Sequence, residues 1–314
     1  MMAPTSLSYP RIVFMGTPEF AVASLEALVL AGYPVVAVVT APDKPAGRGL
    51  KLTESAVKKY AVAQGIPVLQ PVKLKDPEFL LELQQYNAHL QVVVAFRMLP
   101  EVVWSMPPMG TINVHGSLLP QYRGAAPINW AIIHGNATTG VTTFKLQHEI
   151  DTGNILLQSS FAIGENDTCG QVHDHMKQVG ASLLVQTIAG LIDGSLTETP
   201  QSQLPSSNLQ HAPKIFTDTC RIQWQQSCAQ IHNLIRGLSP FPAAFTQLHG
   251  KILKIYLGQK ILAAHTYLPG EVVSDQKTYL HFACTDGFIS ATEVQLEGKK
   301  RMAVADFLRG YVWP

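Results

Sequence analysis

The sequence predicts an α/β protein: a doubly wound, mostly parallel sheet followed by a small OB-like β-barrel domain. Three observations predict it. The first half alternates short β-branched apolar runs with segments of helical period. A stretch rich in Ser, Gln, Thr and Pro then breaks the pattern at residues 197–210. Beyond it, short alternating runs follow one another closely, separated by Gly turns.

The elements follow in order. Residues 11–15, 35–39, 91–96 and 111–114 are apolar runs that read as strands buried on both faces, as a parallel sheet demands. Between them, 19–31, 53–64 and 77–86 carry helical patterns bounded by Gly or Pro. After Gly140, "VTTFKL" and "NILLQSS" are two further strands. The segment 168–192 places Val172, Met176, Val179, Leu183, Ile188 and Leu191 on one helical stripe, with Thr168 as N-cap and Gly194 as the stop. The reading therefore assigns 1–196 to one domain, 197–210 to a linker and 211–314 to a second domain. That second domain starts with a helix from 227 to 236, ended by Gly237 and Pro240. The runs "AAFTQL", "KILKIYLG", "GEVVSD", "TYLHFACTDG" and "FISATEVQL" come next, and a short helix at 303–309 closes it.

Composition narrows the class. At 314 residues with 46% hydrophobic content, the chain can fill two cores. No apolar run approaches a membrane span and the first ten residues lack the pattern of a leader, so a cytoplasmic protein without membrane association is expected. Cys169, Cys220, Cys228 and Cys284 form no Cys-x-x-Cys pair; buried free thiols and no metal site are expected. Net charge is +1 but unevenly spread: residues 1–208 hold 12 basic against 15 acidic side chains, and residues 209–314 hold 11 against 7. A basic second half is compatible with a nucleic-acid partner but does not require one.

The first strand leads into "MGTPEFA", a Gly turn followed by a helix-opening Pro. It lacks the further glycines of a dinucleotide fingerprint, so a tight turn at the sheet rim is the expectation. More informative is "TINVHGSLLPQYRGAAPI". Asn113 and His115 lie two positions apart on a strand and project to one face, at the carboxyl end where open α/β sheets bind ligands. Alone, such a pair would read as a hydrogen-bonded edge. Thirty-six residues after His115 comes "DTGNIL", whose Asp151 sits in a loop that can return to the same end of the sheet. An amide, an imidazole and a carboxylate together suit carbonyl chemistry. When an amine attacks a carbonyl, Asn113 and a protonated His115 can donate hydrogen bonds to the oxygen that gains charge. Asp151 favours the imidazolium by attraction and can accept the amine proton directly or through a water. Ser117 lacks a Gly-x-Ser-x-Gly elbow, which disfavours a serine hydrolase.

"INVHGSLLP", "YRGAAPI" and "DTGNIL" together resemble the folate-dependent formyltransferase family, and the resemblance extends from about Ile12 to Trp313, including "MGTPEFA", "APDKPAGRG", "RIQW", "GKK" and "FLRG". It implies a Rossmann-like first domain, with Asn113, His115 and Asp151 as the catalytic set. Ser117, Leu118, Leu119 and Pro120 are implied to contact the folate, with Arg97 near that pocket. The resemblance further implies that 10-formyltetrahydrofolate is the formyl donor and that the acceptor is the α-amino group of methionine on initiator tRNA. It implies a tRNA-contacting loop at 40–52, where Lys44, Arg48 and Lys51 supply cations. Leu50 stands where relatives often carry another basic residue, and Arg97 stands where they carry glycine. No obligate protein partner is evident. Rival readings are a formyltransferase acting on amino-sugar nucleotides, which can carry a similar tail, and a catalytically silent RNA-binding protein.

Overall fold

The computed structural model describes residues 9–46, 51–205 and 208–313, with only the backbone at Ala46 and Lys51. Its contacts divide the chain into two compact units. One gathers residues up to Arg123, Gly140–Ser160 and Asp174–Gln210; the other gathers Gly124–Thr139, Phe161–His173 and the chain from His211 onward.

The first unit is built on a seven-stranded sheet ordered Ile155–Ala162, Thr138–Lys145, Thr111–His115, Leu90–Val94, Ile12–Gly16, Val35–Val39 and Val68–Leu69. Successive pairings from Thr111–His115 to Val68–Leu69 are parallel, whereas Thr111–His115 meets Thr138–Lys145 antiparallel. Ile12, Val13, Phe14 and Met15 are wholly buried, as are Leu90, Val92 and Val94. Both faces of these strands are covered, which is why their sequences run apolar rather than alternate. From Ile12–Gly16 the chain builds outward to Val35–Val39 and Val68–Leu69. It then returns to add Leu90–Val94 and Thr111–His115 on the other side. The reversal falls beside Gly16 and Val94, and such a switch opens a crevice at the strand carboxyl ends. A Cβ at Gly16 would stand 2.7 Å from the Ala21 Cβ and 3.0 Å from the Val94 oxygen, so this glycine serves close packing.

Local signals set the helices. Asp76 accepts from the Glu78 amide and Pro77 opens helix Pro77–Gln85. Ser55 accepts from the Lys58 amide at the start of helix Ala56–Ala63. That helix was expected from residue 53, but Lys51–Thr53 instead pairs antiparallel with Lys44–Ala46. Part of the stretch expected as a loop thus forms two paired antiparallel strands, and the backbone ladder takes Thr53, where the helical pattern was expected to begin.

The second unit holds an antiparallel six-stranded sheet ordered Ala244–Leu248, Lys251–Leu262, Gly287–Leu296, Leu280–Cys284 and Val272–Ser274, with Met302–Ala303 added to Gly287–Leu296. It is a half-barrel: the ladder of the described strands runs along an open path. Its core takes Ile231, Leu234, Ile235 and Leu238 from helix Cys228–Leu238, and Val304, Phe307 and Leu308 from the last helix. Trp224 stacks on Phe282 at 4.8 Å and donates to the Thr246 hydroxyl. Ser227 and Gln230 form a reciprocal capping box, but the helix runs past the expected stop at Gly237. A Cβ there would lie 2.7 Å from Ile133 and 3.2 Å from the Asn129 oxygen. Gly237 therefore admits helix Pro127–Ile133 at close range rather than ending its own helix. The thiols of Cys228 and Cys284 touch at 2.8 Å, and burial pushes both upward in pKa, which holds them protonated.

His232 makes this unit sensitive to acid. Its side chain is 3% exposed and its Nδ1 has no hydrogen-bond partner among the described residues. Burial first, then the charges of Lys260 and Arg236, pull its pKa down to about 4. The unfolded chain takes up this proton near the ordinary pKa of about 6.5 and the folded chain resists until about 4, so stability falls as pH drops through that window. Between pH 7 and 5 the loss is expected to be about 2 kcal/mol. Urea titrations followed by tryptophan fluorescence check it, and His232→Leu should flatten the difference. An unchanged pH response in that variant would assign the acid lability elsewhere.

Candidate active site

Period-two geometry on strand Thr111–His115 sends Ile112 and Val114 to one buried face and Asn113 and His115 to the other. Asn113 lies in register with Val93 on one side and Phe144 on the other; His115 is opposite Thr142. The imidazole is 7% exposed, with the Phe144 ring edge-on at 6.4 Å. Its Nε2 lies 3.0 Å from the Tyr122 carbonyl oxygen. A carbonyl only accepts, so Nε2 carries the hydrogen. Nδ1 is then the nitrogen left for chemistry, and it faces Asp151 Oδ2 at 3.8 Å. This separation exceeds a hydrogen bond but suits charge attraction once Nδ1 is protonated.

Asp151 is 9% exposed and adopts φ +55°, in the left-handed region that Asp tolerates better than most residues. The loop is closed locally by the Thr152 hydroxyl donating to the Glu149 oxygen and by the Lys145 amide donating to the Asn154 oxygen. A Cβ at Gly153 would fall 1.6 Å from the Lys145 oxygen, so only glycine fits there. The structure thus brings His115 and Asp151 together from segments far apart in the chain, with Asn113 on the imidazole's face of the strand.

The turn after His115 is held by two hydroxyls, those of Thr142 and Ser117. Thr142 Oγ1 donates to the Ser117 oxygen and accepts from the Leu119 amide and from Gln158 Nε2, which also donates to the Leu119 oxygen. Ser117 is fully buried and donates to the Gln121 oxygen at 2.6 Å; Leu119 is 2% exposed. Leu118 and Pro120 keep partly exposed side chains. Of the four residues expected to meet a folate, these two offer surface. Arg97 reaches the segment after Val68–Leu69, donating to the Val72 oxygen at 2.8 Å and to the Pro71 oxygen.

Among the expected tRNA contacts, Lys44 is exposed on the first of the two paired strands and Lys51 lies in the second by its backbone. Arg48 lies outside the described residues. The start of the first strand is braced by Asp43, which accepts from Lys58 and Gln70. The Lys58 ammonium holds the Asp43 carboxyl below its ordinary pKa. Sequence reasoning singled out neither Thr142 nor Gln201, whose amide donates to the carbonyls of Asp151 and Gly153. Nothing in the composition around Gln201 marks it.

Comparison with known proteins adds independent findings. Residues 10–188 match the formyl transferase family and residues 214–312 match the formyl transferase C-terminal domain. The chain is 54% identical over 309 residues to the methionyl-tRNA formyltransferase of Parabacteroides distasonis, covering 96% of this chain and 95% of the relative. It is 50% identical over 307 residues to that of Bacteroides fragilis, with the same coverage. Among solved structures, the sugar 3N-formyl transferase WlaRD aligns with TM-score 0.66 at 20% identity, covering 93% of this chain and 99% of that one. HypX from Aquifex aeolicus, in complex with tetrahydrofolic acid, aligns with TM-score 0.63 at 18% identity, covering 96% of this chain and 47% of that one. At these identities the two structures speak to fold.

Proposed function

Because this chain belongs to the formyl transferase family, we propose that it transfers the formyl group of 10-formyltetrahydrofolate to the α-amino group of methionine on initiator tRNA. The observation that carries the site is His115 Nδ1 facing Asp151 Oδ2 at 3.8 Å while Nε2 is tied to the Tyr122 carbonyl. The methionine amine attacks the formyl carbon and a carbon–nitrogen bond forms. Charge collects on the formyl oxygen, where the Asn113 amide and the protonated His115 Nδ1 donate hydrogen bonds. Asp151, directly or through a water, takes the proton that the amine loses. The bond to the folate nitrogen then breaks, and that nitrogen regains a proton. Leu118 and Pro120 form apolar surface for the folate, and Ser117 shapes the turn beneath them.

The same reading assigns 1–196 to transfer, 197–210 to a linker and 211–314 to RNA binding in the cytoplasm. The two family matches on either side of the linker and the excess of basic residues after 208 support it. Among the described residues, no helix is long and apolar enough to cross a membrane. Lys44, Arg48 and Lys51 contact the tRNA. Incubation with formyl-folate should formylate charged initiator tRNA and leave an amino-sugar nucleotide untouched; the opposite preference would replace this reading with the sugar-nucleotide one. Arg48→Ala should raise KM for the tRNA and leave KM for the folate alone. An unchanged tRNA KM would remove Arg48 from the interface.

A further inference from the structure

Gln201 lies in the stretch whose composition reads as a linker, yet it is 5% exposed. Its Nε2 donates to the carbonyl oxygens of Asp151 at 2.9 Å and Gly153 at 2.8 Å. Both amide hydrogens are thus committed to the loop that carries the Asp151 carboxylate. Its Oε1 accepts two bonds from Arg123, from Nε at 3.0 Å and Nη2 at 2.5 Å. The guanidinium therefore fixes which way the amide points. With oxygen toward Arg123, nitrogen must face the two carbonyls.

The stretch around Gln201 is fastened to the same loop twice more. Ile155 and Thr199 exchange both backbone hydrogen bonds, at 2.8 and 2.9 Å. Glu198 accepts from Asn154 Nδ2 at 3.0 Å and pairs with Lys145 Nζ at 2.5 Å. The Lys145 ammonium first, and the Asn154 amide after it, hold the Glu198 carboxyl below its ordinary pKa. The loop needs such support because Asp151 holds φ +55°, a conformation that persists only where its surroundings over-determine it.

We propose that Gln201, oriented by Arg123, is a positioning residue for the transfer: it holds the backbone of the Asp151 loop so that the carboxylate stays beside His115. The inference rests on the reading of the site given above. It places the effect in the chemical step, since the Gln201 side chain reaches the loop through its carbonyls and bonds none of Leu118, Pro120 and Lys44. A displacement of about 1 Å at such a group can cost on the order of a hundredfold in rate.

Two variants test it in the full-length chain. Gln201→Met keeps the length and removes every side-chain hydrogen bond; Gln201→Glu keeps the acceptor for Arg123 and removes both donors to the loop. Each should lower kcat for formyl transfer about 10- to 100-fold, with KM for formyl-folate and for charged tRNA within about twofold of wild type. Hydrogen–deuterium exchange supplies a readout independent of activity: peptides spanning 149–155 should exchange faster in both variants, while peptides of the sheet strand at 12–16 stay unchanged. Unchanged kcat in an active protein, or unchanged exchange over 149–155, would overturn the proposal. If wild type leaves charged tRNA unformylated but the exchange responds as expected, the strap stands and the assigned reaction falls.

Discussion

Replacing His115 by alanine is expected to lower kcat for formyl transfer by about a thousandfold while the chain stays folded. The variant removes a charged donor to the formyl oxygen, and deleting one such donor costs on the order of 10²- to 10³-fold. It also strips Asp151 of the ring nitrogen it faces at 3.8 Å. The structural cost is smaller: the Tyr122 carbonyl loses a partner, worth roughly 1–3 kcal/mol. Asp151→Asn is the sharper control. It keeps the shape and tolerates φ +55°, but it cannot accept the amine proton, and the loss of a general base costs about 10²- to 10⁴-fold. Single-turnover transfer to charged tRNA, beside thermal melting by circular dichroism, checks both. Near-wild-type turnover in either variant would take the site out of the mechanism.

Gly153→Ala is expected to be nearly as damaging, through geometry alone. The added carbon would sit 1.6 Å from the Lys145 oxygen and 3.1 Å from the Phe144 ring. A Cβ has no torsion by which to escape, and the opposing oxygen belongs to the sheet strand Thr138–Lys145. The loop must therefore move, carrying Asp151 with it. The expected outcome is a kcat about a hundredfold lower, with stability reduced by about 1–3 kcal/mol. KM for both substrates should change far less than kcat. A variant with wild-type kcat would show that the position of this loop does not govern the reaction.

Much of the site was legible beforehand because its spacing obeys simple periods. Asn113 and His115 share a face through the two-residue repeat of a strand, and strand order places them at the sheet's carboxyl rim. Asp151 was legible through its interval: thirty-six residues after His115 allow a crossover and a loop that returns to the same end of the sheet. For Ser117 the resemblance implied a folate contact; in the structure its hydroxyl closes the turn onto Gln121 and the residue is fully buried. Arg97, expected near the folate pocket, donates to the Pro71 and Val72 carbonyls. The pairing of Lys44–Ala46 with Lys51–Thr53 and the continuation of helix Cys228–Leu238 through Gly237 depend on pairing with distant backbone, about which local propensity is silent.

Patterning along the chain predicted the α/β class and a small β-barrel after it, where the structure has a half-barrel, and the Asn-x-His and Asp-Thr-Gly motifs carried the resemblance to the family and the chemistry expected of Asn113, His115 and Asp151. Long-range contact settled which imidazole nitrogen faces Asp151, which of the turn residues offer surface to a folate, and that Gln201 holds the Asp151 loop. The reason is directional. A hydrogen bond between residues fifty apart is specified by where two backbones meet, and a stretch of Ser, Gln, Thr and Pro has no repeat from which that meeting could be read.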